Sequence, residues 1–274
     1  MKTAVYLAIP NYNMADQLER LVASALDAGY EHIYVLDDCS SDHSQEIVAQ
    51  FESQGVSFIP SNVNKGAGAT RNQILNYQSS GIIHFLDADV NLVSANGSAD
   101  NIRAAFARHP DAGAIGFQVL NPDKTQYDWN FGPKRKLIDG LTWKSFKLYK
   151  QINSNRARLL LERVFKQRWD NFWTYTHPES GQHEQQVGAA VECNLAVRLE
   201  DFQKVDGFDG ALRFHEIHSL ALRLRSIAKT IWYVPEVAII KHDEVEVRAN
   251  RKQEMRRALW LLDFKRLTGQ YKIR

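Results

Sequence analysis

Two carboxylates, Asp87 and Asp89, follow directly on the apolar run Ile82-Ile83-His84-Phe85-Leu86. A short apolar run of this kind reads as a buried strand, so both acids emerge at its carboxyl end, the edge where open α/β sheets bind ligands. Their oxygens suit Mg²⁺ or Mn²⁺, ions that take one or two carboxylates and complete their shell with water and phosphate. An isolated Asp-x-Asp is more simply an acidic surface turn. Its company here favours a metal site, with Asp89 the more direct ligand. Tyr12, just past the apolar run Thr3 to Ile9, is placed to stack on a nucleobase. Arg71 can pair bidentately with a phosphate, or with a carboxylate, in which case it would hold Asp87 or Asp38. Asp37 and Asp38 open a polar turn in which Asp42 or a neighbouring serine can cap the next helix.

The elements that must position these groups alternate apolar runs with helical patterns, the sign of βαβ units and a parallel sheet. Strands are expected at Thr3 to Ile9, Ile33 to Leu36, Val56 to Ile59 and Ile82 to Leu86. Between them, Leu18, Leu21, Val22, Ala25 and Leu26 share one helical face that Gly29 ends; further helices run from His43 to Gln54 and Gly66 to Tyr77. Past the fourth strand the pattern gives a helix at Asp100 to Arg108, strands at Ala114 to Val119 and Val191 to Val197, and a helix at Glu216 to Ala228. Two strands flank Pro235, Ile231 to Val234 and Val237 to Ile240, and a basic amphipathic helix covers Arg248 to Leu267.

The chain has 274 residues, 44% hydrophobic and 24% charged, an ordinary globular composition. A formal charge of +2 gives no reason to expect nucleic acid as a partner. Two distant cysteines, Cys39 and Cys193, fit a reducing compartment, and neither a signal peptide nor a stretch of roughly 20 apolar residues is evident, so the expected location is cytoplasmic.

Five stretches occur in an order that resembles the family 2 glycosyltransferases of GT-A fold. They are Ile9-Pro10-Asn11-Tyr12-Asn13; Val35 to Asp42; Asn64-Lys65-Gly66 with Ala69-Thr70-Arg71-Asn72; Phe85 to Asp89; and Cys193 to Arg198 followed by Gly207-Phe208-Asp209. The resemblance implies a Rossmann-like, mixed but mostly parallel sheet flanked by helices in one domain. Residues 1–120 would bind the donor, 121–247 face the acceptor, and 248–274 form the basic helix. It implies an inverting transfer of one sugar from a nucleotide diphosphate donor, UDP before GDP or dTDP, to a glycan or lipid-linked hydroxyl acceptor. The setting it suggests is cell-surface polysaccharide or lipopolysaccharide assembly. Pro10, Tyr12, Asp37, Asp38, Lys65, Gly66, Arg71, Asp87 and Ala88 would surround the nucleotide; Asp87, Asp89 and His242 would meet a Mn²⁺ or Mg²⁺ ion.

The chain departs from the family's pattern at one chemically decisive point. Relatives carry Glu-Asp at the start of the helix matching Leu220 to Arg225, the Asp being the general base, whereas this chain has Glu216-Ile217. Isoleucine accepts no proton, which leaves Glu216 as the preferred base, with His215, His218 and Glu192 as alternatives, or a protein that binds without turnover. Gly66-Ala67-Gly68 lacks the third glycine of a dinucleotide fingerprint, and Asn11-Tyr12-Asn13 is no nucleotidyltransferase phosphate loop. The basic, aromatic segment Lys134 to Arg168, with Trp143, Phe146, Tyr149 and Phe165, would overlie the acceptor. Gln253 and Arg256 match part of a motif of processive relatives, but Arg257 stands where its Trp belongs, so single transfers are expected. The tail sets Arg251, Lys252, Arg256, Arg257, Lys265 and Arg266 against Trp260, Leu261, Phe264 and Leu267, a helix able to dock on the core or to lie on an anionic membrane.

Overall fold

The computed structural model describes residues 2–93, 97–127, 130–132, 148–149, 152, 154–173, 181–242 and 251–271. Of the basic segment 134–168, residues 134–147, 150, 151 and 153, Trp143 and Phe146 among them, lie outside the described residues. The four expected strands and the three helices between them are present: β1 (Val5–Asn11), α1 (Ala15–Ala25), β2 (Ile33–Asp37), α2 (Ser44–Ala49), β3 (Val56–Ile59), α3 (Ala67–Arg71) and β4 (Ile82–Leu86). There follow β5 (Val90–Leu92), α4 (Ser98–Arg108), β6 (Ala112–Leu120), β7 (Phe131–Gly132), α5 (Asn155–Trp173), β8 (Gln185–Gln186), β9 (Ala189–Ala190) and β10 (Asn194–Arg198). The chain closes with α6 (Leu199–Lys204), α7 (Glu216–Ser226), β11 (Thr230–Lys241) and α8 (Arg251–Leu267).

A nine-stranded sheet runs β3-β2-β1-β4-β10-β6-β11-β5, with β8 also on β11. Pairing is parallel from β3 through β4 and between β6 and β11, while β10, β5 and β8 pair antiparallel with their neighbours. The mixed but largely parallel sheet is therefore as expected. Period-two alternation sorts the side chains of β1: Val5, Leu7 and Ile9 enter one core with α1 and α4, and Ala8 enters the other, which α6 and α7 cover. Burying both faces explains why the strands read as continuous apolar runs.

Three boundaries differ from expectation. The helix from Gly66 shortens to α3 followed by a 3₁₀ segment, Asn72–Asn76, and α2 likewise gives way to one at Glu52–Gln54. The two strands around Pro235 are one strand, β11. Its pairing to β6 slips where Pro235 removes an N–H, five steps from Val234 to Ile239 answering two from Phe117 to Val119. The buried Asn194 amide bridges the irregularity, donating to Gln118 O at 2.9 Å and Val237 O at 2.8 Å. Beyond it β11 regains register against β5, with Lys241 opposite Val90, which brings the end of β11 alongside Asp89.

Candidate active site

At the carboxyl ends of β1, β2 and β4 lies a cavity of about 550 Å³, lined among others by Pro10, Tyr12, Asp38, Arg71, Asp87, Ala88 and Asp89. The two asparagines around Tyr12 tie the β1 and β2 ends together. Asn11 Nδ2 donates to Asp37 Oδ1 and Ser44 Oγ, both at 2.9 Å, and Asn13 Oδ1 accepts the Ser41 N–H at 2.8 Å. With both neighbours so engaged, Tyr12 is left 37% exposed at the rim, where a flat base can lie on it.

The two adjacent aspartates have different partners. Asp37 accepts from Asn11, the Ser40 hydroxyl and the Ser40 N–H, and it lines a separate hollow on the far side of the loop rather than the main cavity. Asp38 is buried and faces the main cavity while its two oxygens accept the N–H groups of Lys65 at 2.7 Å and Gly66 at 2.8 Å. Gly66 itself adopts φ +87°, a conformation L side chains rarely take. The Lys65 side chain is exposed, so what the structure brings to the site is its main chain. Asp42 serves as a cap, accepting the N–H of Ser44 and that of Ala15 at the start of α1.

Arg71, only 2% exposed, donates to Asp87 Oδ1 at 2.5 Å, the carboxylate-holding role among the two open to it. Burial opposes its charge, but Asp87, Glu192 and Glu216 outweigh that and hold it firmly protonated. Asp89 is paired on its other side, with Lys241 Nζ 3.2 Å from Oδ2. Burial, then the charge of Asp87, push the Asp89 pKa up, against the pull of Lys241.

Asp89 Oδ1 is buried without a hydrogen-bond partner among the described residues. A buried, orphaned carboxylate oxygen beside a second carboxylate is what a hard divalent cation would satisfy, so the residues present fit Mg²⁺ or Mn²⁺. No group of three or more His, Cys, Asp and Glu side chains suited to a metal occurs among the described residues, so the rest of the shell would have to come from substrate and water. The structure does not bring the His242 ring into this group: its Nε2 pairs with Asn91 Nδ2 at 2.9 Å, and only its main-chain N–H reaches Asp89, donating to the carbonyl at 3.2 Å.

The start of α7 places the candidate bases differently. Glu216 is buried and lines the cavity, whereas Ile217, 6% exposed, points into the core beside Phe208 and Leu220. Residue 217 is thus a packing position in this chain, which accounts for an apolar residue there. Glu216 reaches the cavity past Gly68, where a Cβ would stand 2.9 Å from Glu216 Cγ. Glu192 also lines the cavity, its pKa raised by burial against the pull of Arg71. His215 and His218 stack on each other, rings 5.6 Å apart, and are not among the lining residues.

Sequence reasoning missed three charged residues that line the cavity, Arg213, Lys241 and Glu254. Lys241 precedes the histidine that drew attention; Glu254 comes from α8, whose seat on the body no local pattern discloses. That helix buries Ala258 and Leu262 against Leu212 and Tyr271, and Lys265 and the Tyr271 hydroxyl both donate to Asp209. Asp209 in turn belongs to a loop that Asn72 grips through the Phe208 N–H at 2.7 Å and carbonyl at 2.8 Å. The Gly207 carbonyl accepts from Arg223 of α7 at 2.5 Å, so the Gly207-Phe208-Asp209 stretch ties together the 3₁₀ segment after α3, α7 and α8.

Residues 6–169, more than half of the chain, match the family described as Glycosyl transferase family 2. The chain belongs to that family. TuaG of Bacillus subtilis (strain 168), a glycosyltransferase named for teichuronic acid biosynthesis, is 33% identical over 92 residues, 32% of this chain and 36% of TuaG. WfaP of Escherichia coli, named as a UDP-Glc:alpha-D-GlcNAc-diphosphoundecaprenol beta-1,3-glucosyltransferase, is 33% identical over 87 residues, 31% of this chain and 35% of WfaP. Each match thus spans about a third of the relative's length. In solved structures the fold is shared with S. aureus TarS in complex with UDP-GlcNAc, at TM-score 0.59 and 16% identity over 94% of this chain and 65% of that one. It is shared also with the mannosyltransferase PcManGT of Pyrobaculum calidifontis in complex with GDP-Man and Mn²⁺, at TM-score 0.60 and 13% identity over 98% and 65%. These likenesses establish the GT-A fold.

Proposed function

We propose that this chain is a divalent-metal-dependent, inverting glycosyltransferase that moves one sugar from a nucleotide diphosphate donor, UDP before GDP, to a hydroxyl acceptor in cell-surface glycan assembly. The observation that carries the reading is the convergence of Tyr12, Asp38, Arg71, Asp87, Asp89 and Glu216 on one cavity at the carboxyl edge of the sheet. Membership of the family, with curated relatives named for teichuronic acid and for a lipid-linked acceptor, supports the class of reaction and the setting.

The base stacks on Tyr12, and Asp38 contributes its remaining lone pairs to the nucleoside while fixing the Lys65–Gly66 turn around it. Asp37 acts indirectly, by holding the β1 and β2 ends together. Asp89, with Asp87 oriented by Arg71, would hold Mn²⁺ or Mg²⁺, which would supply charge neutralisation to the departing diphosphate. Glu216 takes the proton of the acceptor hydroxyl as its oxygen bonds to the anomeric carbon and the bond to the diphosphate breaks. One base and one leaving group on opposite sides of that carbon give inversion in a single displacement.

Membrane contact through α8 belongs to the same reading. While Ala258 and Leu262 dock inward, Arg256, Arg257, Trp260, Phe264 and Leu267 form an exposed stripe at helical spacing, basic at one end and aromatic at the other. Equal sedimentation with anionic liposomes with and without residues 251–271 would dispose of that part. The reaction itself is tested by incubating purified protein with a panel of nucleotide sugars, Mn²⁺ and hydroxyl acceptors. Transfer or donor hydrolysis that Asp89→Ala reduces at least about a hundredfold is expected; nucleotide binding with no turnover of any donor would identify a binding protein instead.

A further inference from the structure

Asp89 has two oxygens and two claimants. Lys241 Nζ stands 3.2 Å from Oδ2, with both side chains almost enclosed, 12% and 14% exposed. The other oxygen, Oδ1, is the orphan that a divalent cation would satisfy. A cation on Oδ1 and an ammonium on Oδ2 would lie within a few ångströms of each other in a site largely shielded from water, where like charges repel strongly. Arg71 offers no relief, because its guanidinium is committed to Asp87. Lys241, by contrast, can move: its backbone is pinned by the β5–β11 register, but its side chain is a four-carbon stem that opens on the cavity where the diphosphate must lie.

We propose that Lys241 is a built-in counter-ion which occupies Asp89 in the free protein and swings to the donor diphosphate when it arrives, so that nucleotide and divalent cation bind cooperatively. This rests on the reading of Asp89 as the metal ligand. Free protein then binds the ion poorly, and the diphosphate both removes the competing ammonium and adds ligands of its own. Linkage requires that the ion raise the affinity for nucleotide by the same factor. A cation would be admitted only with a donor in place, and the lysine would stay on the leaving diphosphate as a second positive charge.

The test is a Mn²⁺ titration followed by the electron paramagnetic resonance of the free ion, with and without UDP, corrected for Mn–UDP formed in solution. Wild type should bind Mn²⁺ weakly alone and at least about tenfold more tightly with UDP. Lys241→Met should bind Mn²⁺ at least about tenfold more tightly than wild type without nucleotide, lose most of the UDP enhancement, and bind UDP more weakly in EDTA. Lys241→Arg, which keeps the charge, should behave like wild type and guards against a folding defect. If Asp89→Ala abolishes Mn²⁺ binding while Lys241→Met leaves the nucleotide-free affinity within about twofold of wild type, the counter-ion role is overturned and the metal site stands. If Asp89→Ala binds Mn²⁺ as wild type does, the metal assignment falls and the counter-ion role with it.

Discussion

Replacing Ile217 by aspartate restores the residue that relatives carry, and on a literal motif match it should create the missing base. The structure demands the opposite. Ile217 is 6% exposed and sits among Phe208, Leu220, Ala221 and Leu224. Removing a buried isoleucine costs about 2–5 kcal/mol in lost burial and cavity formation. A carboxyl group placed there without a partner adds about 1–3 kcal/mol even when protonated. The sum, about 5 kcal/mol, is a large part of the 5–15 kcal/mol typical of a whole domain. In urea, with a slope near 2–3 kcal/mol per molar, the unfolding midpoint followed by tryptophan fluorescence should fall by about 2 M. Ile217→Val, which keeps shape and polarity, should cost only about 1 kcal/mol. Turnover of the aspartate variant should not exceed wild type under folding conditions. A midpoint within about 0.3 M of wild type together with faster turnover would show that residue 217 faces the acceptor, and would refute the assignment of Glu216.

Three further outcomes are expected. Asp38→Asn can accept only one of the N–H groups of Lys65 and Gly66 through its oxygen, so it should lose about 2–3 kcal/mol of stability and weaken UDP binding; an unchanged unfolding midpoint would deny the cap. Gly68→Ala sets a Cβ 2.9 Å from Glu216 Cγ and should lower kcat about tenfold or more with donor KM within about twofold, since it displaces the base and not the nucleotide site; equal kcat would show that Glu216 need not stand there. His84, fully buried between Tyr30 and Asn194, is held neutral, burial lowering its pKa from 6.5 to about 4. The unfolded chain therefore takes up a proton that the native state refuses as pH falls from 6.5 towards 4, so stability falls with it. Denaturant melts should show about 2 kcal/mol less stability from this group at pH 5 than at pH 7.5, a loss that His84→Gln should largely abolish.

The first half of the chain is legible because each element there announces itself locally. Short apolar runs end in polar clusters, Gly29 stops a helix with φ +80°, and Asp87 and Asp89 follow a strand that is buried at every position. Arg71 carries a group that suits phosphate and carboxylate alike, and its contact with Asp87 follows from the packing of α3 on the sheet, which no local pattern shows. What sequence could not disclose depends on contacts across the chain. Pro235 reads as a strand break, yet the Asn194 amide donates to the carbonyl of Val237, 43 residues further on, and β11 continues past the proline. Lys241 carries no motif and owes its place to the register that β11 regains beyond that point. A count along the helix reads Ile217 as a missing base, whereas the facing of the helix follows its buried residues, Ile217, Leu220, Ala221 and Leu224, which share one core. The distant Glu254 enters the cavity because Asp209 anchors α8 through Lys265 and Tyr271.

The most direct test of the account is anomalous diffraction near the manganese edge from crystals of the protein grown with UDP and Mn²⁺. A strong peak is expected against Asp89 Oδ1, inside the cavity bounded by Tyr12 and Arg71, with the uracil ring on Tyr12. A peak confined to other parts of the molecule, or UDP seated in the cavity with the Asp89 oxygens turned away from any ion, would contradict it.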